Sequence, residues 1–177
     1  MEKIRDRLQL GVISGLAGVV VKDLVGGLLI KAGWAEEAGP QRAAGMLLPA
    51  YKIYTPLGRL AGKLADAAVG SLLGIVSVYM LSFTGKDRVV LKGLTSGALA
   101  WVGLYGVLSN MGATTVRTVQ PKTVISEFIS HAVYGVVTTT TASYLGADDL
   151  FEGGIPWSAS SVRMAEIPLR AAPRPVN

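Results

Sequence analysis

The chain has 177 residues, of which 50% are apolar and only 16% charged, with a mean hydropathy of +0.45. Soluble domains carry about 25% charged residues, so this composition points away from them, and the length suits one domain. The net charge of +5 does not signal nucleic acid, because the basic residues punctuate apolar segments instead of forming a run. The lack of cysteine excludes disulfides and Cys-ligated metal sites.

Lys3, Arg5 and Arg7 precede a first apolar run. It resembles a signal peptide as far as Val21, yet no small-x-small cleavage site follows and the run resumes through Ile30. Residues 8–32 therefore read as an uncleaved span, since a hydrocarbon core needs about 20 apolar residues. The connection 33–57 holds Trp34, Pro40, Pro49, Tyr51, Tyr54 and Pro56. Its aromatics around Met46-Leu47-Leu48 predict a loop at the headgroup level. Residues 58–83 form a second span, with Arg59 and Lys63 long enough to snorkel. A polar turn at 84–88 leads into a third, 89–112, as an antiparallel hairpin. A fourth covers 122–146. The expected fold is all-α: a four-helix transmembrane bundle running up-down-up-down over residues 1–146, with an extramembranous tail over 147–177 that is poorly ordered toward its end.

With the N-terminus cytoplasmic, nine Lys and Arg residues fall on the inner side and seven on the outer, Lys22 being left inside the membrane. That count favours both termini in the cytoplasm.

The helical faces carry more information than the spans. Gly11, Gly15, Gly18, Lys22 and Gly26 share one face of the first helix. On the second, Lys63, Asp66, Gly70, Gly74 and Ser77 line up. The third carries Gly93 and Gly97, followed by Ser96, Ala100, Gly103 and Asn110 as a small, partly polar stripe. Such glycine rows let helix backbones approach closely in membranes, and spare ones suit a homo-oligomer. The fourth helix shows a polar stripe of Glu127, His131, Tyr134, Thr138 and Thr141.

Lys22 and Asp23 lie mid-span, where a charge costs at least ~2.5 kcal/mol and demands partners. At about 1.5 Å per residue, Asp23, Asp66 and His131 fall at similar depth below the long-loop face. Lys22, Asp23, Asp66, Glu127 and His131 are thus expected to meet in one layer. One reading makes that layer structural, with Lys22 and Asp66 as a buried ion pair and Glu127 and His131 bonded nearby. The other makes it a proton or ion site. A single histidine and no cysteine argue against a metal, and no cofactor is implied. No nucleophile–base pair suggests an enzyme.

The stretch Gly15-Leu16-Ala17-Gly18-Val19-Val20-Val21-Lys22, followed by Gly33-Trp34, Glu37, Pro40 and Arg42, resembles the opening of YagU-like small bacterial inner-membrane proteins. The resemblance covers the first quarter of the chain and implies a polytopic inner-membrane protein with a link to acid tolerance. Three roles remain open: a structural or assembly component of the membrane, a proton- or ion-transporting protein, and a soluble helical scaffold or shell. In the first two the partner is the lipid bilayer.

Overall fold

Local chemistry sets where the helices begin and end. The computed structural model describes residues 3–116 and 120–152, and these are helical with no strand among them. Helix α1 spans Arg7–Lys31 and opens on Asp6, whose carboxylate accepts from the Gln9 amide at 2.7 Å. It closes on Gly33, where φ is +73° and the Trp34 amide reaches back to the Leu29 carbonyl. Helix α3 (Pro56–Thr84) has Thr55 as its cap and proline in its first turn. Helix α4 (Val89–Trp101) continues into a π-helical segment, Val102–Leu108, and α5 covers Pro121–Leu145.

The connection 33–57 differs from its expected form. It contains a helix, α2 (Gly39–Leu47), packed on α3 with Arg42, Ala43 and Ala44 buried. Gly39-Pro40 looks like a loop signal but serves as a helix start, because proline is well suited to a first turn. The Gln41 side chain completes that turn by accepting from the Ala38 amide at 3.1 Å.

Three helices are long and apolar enough to cross a membrane: α1, α3 and the 89–108 segment. Helix α5 has the length but not the apolarity. Its Thr123, Ser126, Glu127, Ser130 and His131 are all buried, so the polar stripe faces the interior. The outward faces are apolar, with Val20, Leu24, Leu28, Leu72, Val76 and Leu99 all more than half exposed.

Helix α1 packs on both α3 and α5, and α4 packs on α5. The glycines expected to mediate packing are used in these contacts. A Cβ on Gly74 would sit 2.6 Å from Gly15 Cα, and one on Gly11 would meet Ile75 Cα at 2.5 Å. Gly18 lies under the Tyr134 ring, and Gly70 against Val19. Gly93 meets Val136 Cα, and Gly97 lies 3.0 Å (as a built Cβ) from Ala132 Cα. In each pair the numbering runs in opposite directions along the two helices.

Because those faces turn α3 toward α1 and α4 toward α5, the 85–88 connection does not produce a close hairpin. Helices α3 and α4 diverge, touching through the Ser77–Ser96 hydroxyl pair at 3.0 Å. An apolar furrow of about 570 Å³ lies between them. Lys63 also departs from the expected face: it is exposed, whereas Gly70, Gly74 and Ser77 are buried.

At the end away from the long connection, Leu10, Val78, Leu81, Ala142, Leu150 and Phe151 form an apolar core. The short helical turn Asp148–Phe151 thus docks into the body, so the expected boundary at residue 146 falls inside this core. Buried Arg7 joins it, donating to Ser82 Oγ at 3.0 Å and the Leu150 carbonyl at 3.1 Å. The rest of the tail, from 153, lies outside the described residues, as does Arg117.

Gly15→Val forces a side chain into the α3 backbone, and overpacking of this kind costs about 1–3 kcal/mol. A lower melting temperature in detergent is expected for Gly15→Val. Gly103→Ala, where a Cβ meets nothing within 4 Å, should melt as wild type does.

Lys86 bonds Asp148, and the ammonium holds that carboxyl below its ordinary range. A carboxyl depressed in the fold stabilises above the usual carboxylate range, and this contribution fades as pH falls through the folded value. Protection of the 148–151 amides, measured against their intrinsic exchange rates, should therefore fall on strong acidification, and Lys86→Gln should remove that step.

Candidate functional site

Helix α1 turns its glycine face inward and carries Lys22 with it, so the ammonium is buried (5% exposed). Lys22 Nζ lies 2.8 Å from Asp66 Oδ2 on α3 and 3.0 Å from Asp23 Oδ1 on its own helix. The first residue of α2 closes the pair from above. A Cβ on Gly39 would fall 2.5 Å from Lys22 Nζ and 3.0 Å from Asp66 Oδ1. The positive end of the α2 dipole thereby meets both partners, favouring the Asp66 carboxylate and opposing the Lys22 ammonium.

Glu127 and His131, one turn apart on α5, form a second group. The His131 Nδ1 lies 2.9 Å from the Glu127 carbonyl and 3.8 Å from its carboxylate. That carboxylate instead accepts from the Tyr105 hydroxyl at 2.6 Å. Tyr105 also meets the edge of the His131 ring, with centroids 5.3 Å apart, and the Arg42 guanidinium stacks 4.4 Å from its centroid. Arg42 in turn lies 3.5 Å from Glu37, and both are buried.

The five sequence-expected residues thus fall into two groups, Lys22–Asp23–Asp66 and Glu127–His131. A cavity of about 30 Å³ joins them, lined by Gly39, Arg42, Asp66, Tyr105 and His131. That is room for water, and Arg42, Asp66 and His131 in its otherwise largely apolar lining offer the hydrogen bonds a buried water requires. On the long-connection side, a half-open vestibule of about 500 Å³ reaches Arg42, Trp101, Tyr105, Ser109 and Asn110.

Sequence reasoning missed Glu37, Arg42 and Tyr105. The first two sat in a presumed loop, and Glu37 five residues before Arg42 gives no helical pairing across Pro40. An uninterrupted α-helix places Tyr105 roughly 80° away from Gly97, eight residues earlier. The π-helical segment takes an extra residue per turn and brings Tyr105 back toward α5. No propensity signal marks that segment; Gly103 and Gly106 inside it are the nearest hint.

Among the described residues, no group of three His, Cys, Asp or Glu side chains is arranged to hold a metal ion.

Removing one partner from a buried pair leaves an uncompensated charge, a loss of about 3–5 kcal/mol. Lys22→Met should lower the unfolding free energy in detergent by that order, whereas adding Asp66→Leu should recover most of the loss. Equal destabilisation in the single and double variants would contradict the pairing. No protein-family model, curated protein or solved structure matches this chain, so the role of the site rests on its own chemistry.

Proposed function

We propose that this is a non-enzymatic integral membrane protein whose buried charged layer takes up and releases protons from the long-connection side. In this reading α1, α3, the 89–108 segment and α5 are four spans running up-down-up-down. Helix α2 is a half-helix dipping into the outer side of the bundle. The opposed numbering of the glycine contacts supports that course. The inward polar face of α5 supports its place as the most enclosed span, where a less apolar helix meets little lipid. The N-terminal resemblance to YagU-like proteins supports a bacterial inner membrane, and the Lys/Arg distribution supports cytoplasmic termini.

The observation that carries the proposal is a charge imbalance. Among the described residues the layer gathers four carboxylates, Asp23, Glu37, Asp66 and Glu127, against two fixed cations, Lys22 and Arg42. A low-dielectric layer does not retain surplus charge; such groups neutralise instead. The groups facing one another are Lys22 and Asp23 from α1, Asp66 from α3, Arg42 from α2 with Glu37 just before it, Tyr105 from the π segment, and Glu127 with His131 from α5. Protons are the smallest species that balances this set, and the vestibule gives water a route to Tyr105. The Leu10–Val78–Leu81–Phe151 core closes the opposite end. Such an arrangement suits a site loaded from one side at a time and not an open channel.

The test is proton flux into proteoliposomes containing a pH-sensitive dye. Wild type should respond to an imposed pH step above protein-free vesicles. The Lys22→Met/Asp66→Leu and Glu127→Gln variants should insert normally yet lose the response, and His131→Ala should weaken it. Wild-type flux in the doubly neutral variant would reduce the layer to structural glue. Release of the protein from membranes by carbonate without detergent would instead favour the soluble scaffold.

A further inference from the structure

Two cations and an apolar groove lie together on the outer face of α1, α2 and α3, bordering the proton site at Asp23. Arg59 and Lys63 sit one turn apart in the first turns of α3, both exposed. Among the described residues, neither is within ion-pair distance of a carboxylate. The nearest acids in sequence and space are engaged elsewhere: Asp66 and Asp23 both hold Lys22.

The groove below them has a volume of about 490 Å³. Val20, Leu24, Gly27 and Ile30 of α1 form one wall, and Ala44 of α2 with Ile53 the other. It is graded along the membrane normal. Arg59 is three residues inside the start of α3, at headgroup depth, whereas Val20 is eleven residues in from Lys31, roughly 16 Å deep. Asp23, at the deep end, is bonded to Lys22, which it shares with Asp66. At Gly27 a Cβ would meet nothing within 4 Å, so the channel is open there.

A shallow basic end above a deep apolar trough matches one amphiphile. We propose that this groove binds an anionic phospholipid, its phosphate between Arg59 and Lys63 and one acyl chain laid along α1 over Leu24 and Gly27. Basic residues at the rim of a groove between helices select acidic headgroups in this way. The lipid also covers the exposed edge of Asp23, separating the ion pair from the bulk bilayer. The proposal rests on the membrane reading above but not on proton uptake.

The experiment is native mass spectrometry of the detergent-purified chain, titrated with phosphatidylglycerol or with phosphatidylcholine of the same acyl chains. Wild type should retain one phosphatidylglycerol per chain in preference to phosphatidylcholine. Arg59→Gln with Lys63→Gln should weaken phosphatidylglycerol retention roughly 10- to 30-fold, two charges at about the strength of one surface Lys or Arg each. Gly27→Phe should displace both lipids by filling the trough, and Lys52→Gln, outside the groove, should change nothing. Melting curves establish that each variant is folded, and the double glutamine variant, altered only at exposed positions, keeps the test intact if Gly27→Phe does not fold. Equal retention of the two lipids would overturn the proposal, as would wild-type retention by the double variant. So would a dimer that Gly27→Phe converts to monomer with lipid unchanged. Loss of proton flux with lipid retention intact would refute the proton reading alone.

Discussion

A buried ammonium group governs this molecule. Lys22 is held between α1 and α3, and its charge is tolerable only because Asp66 and Asp23 stand within 3.0 Å. A buried pair is weak evidence of net stability, but its geometry is demanding, since separation of the partners leaves each charge uncompensated. Helices α1 and α3 must therefore lie close, and the glycines one and two turns below the pair allow it. Gly15 against Gly70 and Gly74 brings backbone onto backbone, shortening the distance Lys22 has to span. The bulk of α2 then has one place to go: Gly39, lacking a Cβ, slots over the pair where any larger residue would strike Lys22 or Asp66.

The glycine faces also explain what does not pack. Each helix has one smooth face, and α3 uses its face on α1 while α4 uses its own on α5. Sequence neighbours α3 and α4 are left with side chains that hold them apart. Adjacency along the chain and a tight turn suggest a hairpin, but close backbone approach decides the partner. The furrow between α3 and α4 is the geometric residue of that choice.

Much of this was legible from residue spacing. Period-3.6 glycine rows located the inward faces, and one buried charge implied others at matching depth, which is how Lys22 led to Asp66. The same logic failed wherever the period changed. Lys63 shares a helical face with Asp66 by spacing, but it lies a turn closer to the surface and extends outward. Helix α2 was hidden because Gly-Pro and several aromatics read as loop, so Arg42 and Glu37 went unnoticed as interior groups. Tyr105 was hidden by the π segment, which no composition rule announces. The fourth span passed as apolar by length, although its polar groups make it the least membrane-like of the long helices.

The distribution of polarity along the bundle axis links these local facts. The half nearest the long connection contains every carboxylate of the layer, both fixed cations, the small water-sized cavity and the vestibule. The opposite half contains Leu10, Val78, Leu81, Ala142, Leu150 and Phe151 with Arg7 at its margin. Within the layer, Tyr105 links Glu127 and His131 to Arg42 through hydrogen bonding and ring contacts: it donates to Glu127, stacks beneath Arg42 and touches His131. Its position depends on the π-helical register of 102–108, not on the surrounding α-helices. A single non-α turn therefore determines whether Glu127 and His131 belong to the same polar network as Arg42, and π segments recur at functional sites for this kind of re-aiming. The layer is thus assembled from four independently placed pieces: the α1–α3 ion pair, the start of α2, the polar face of α5 and one irregular turn. A purely structural joint between α1 and α3 would need only the first.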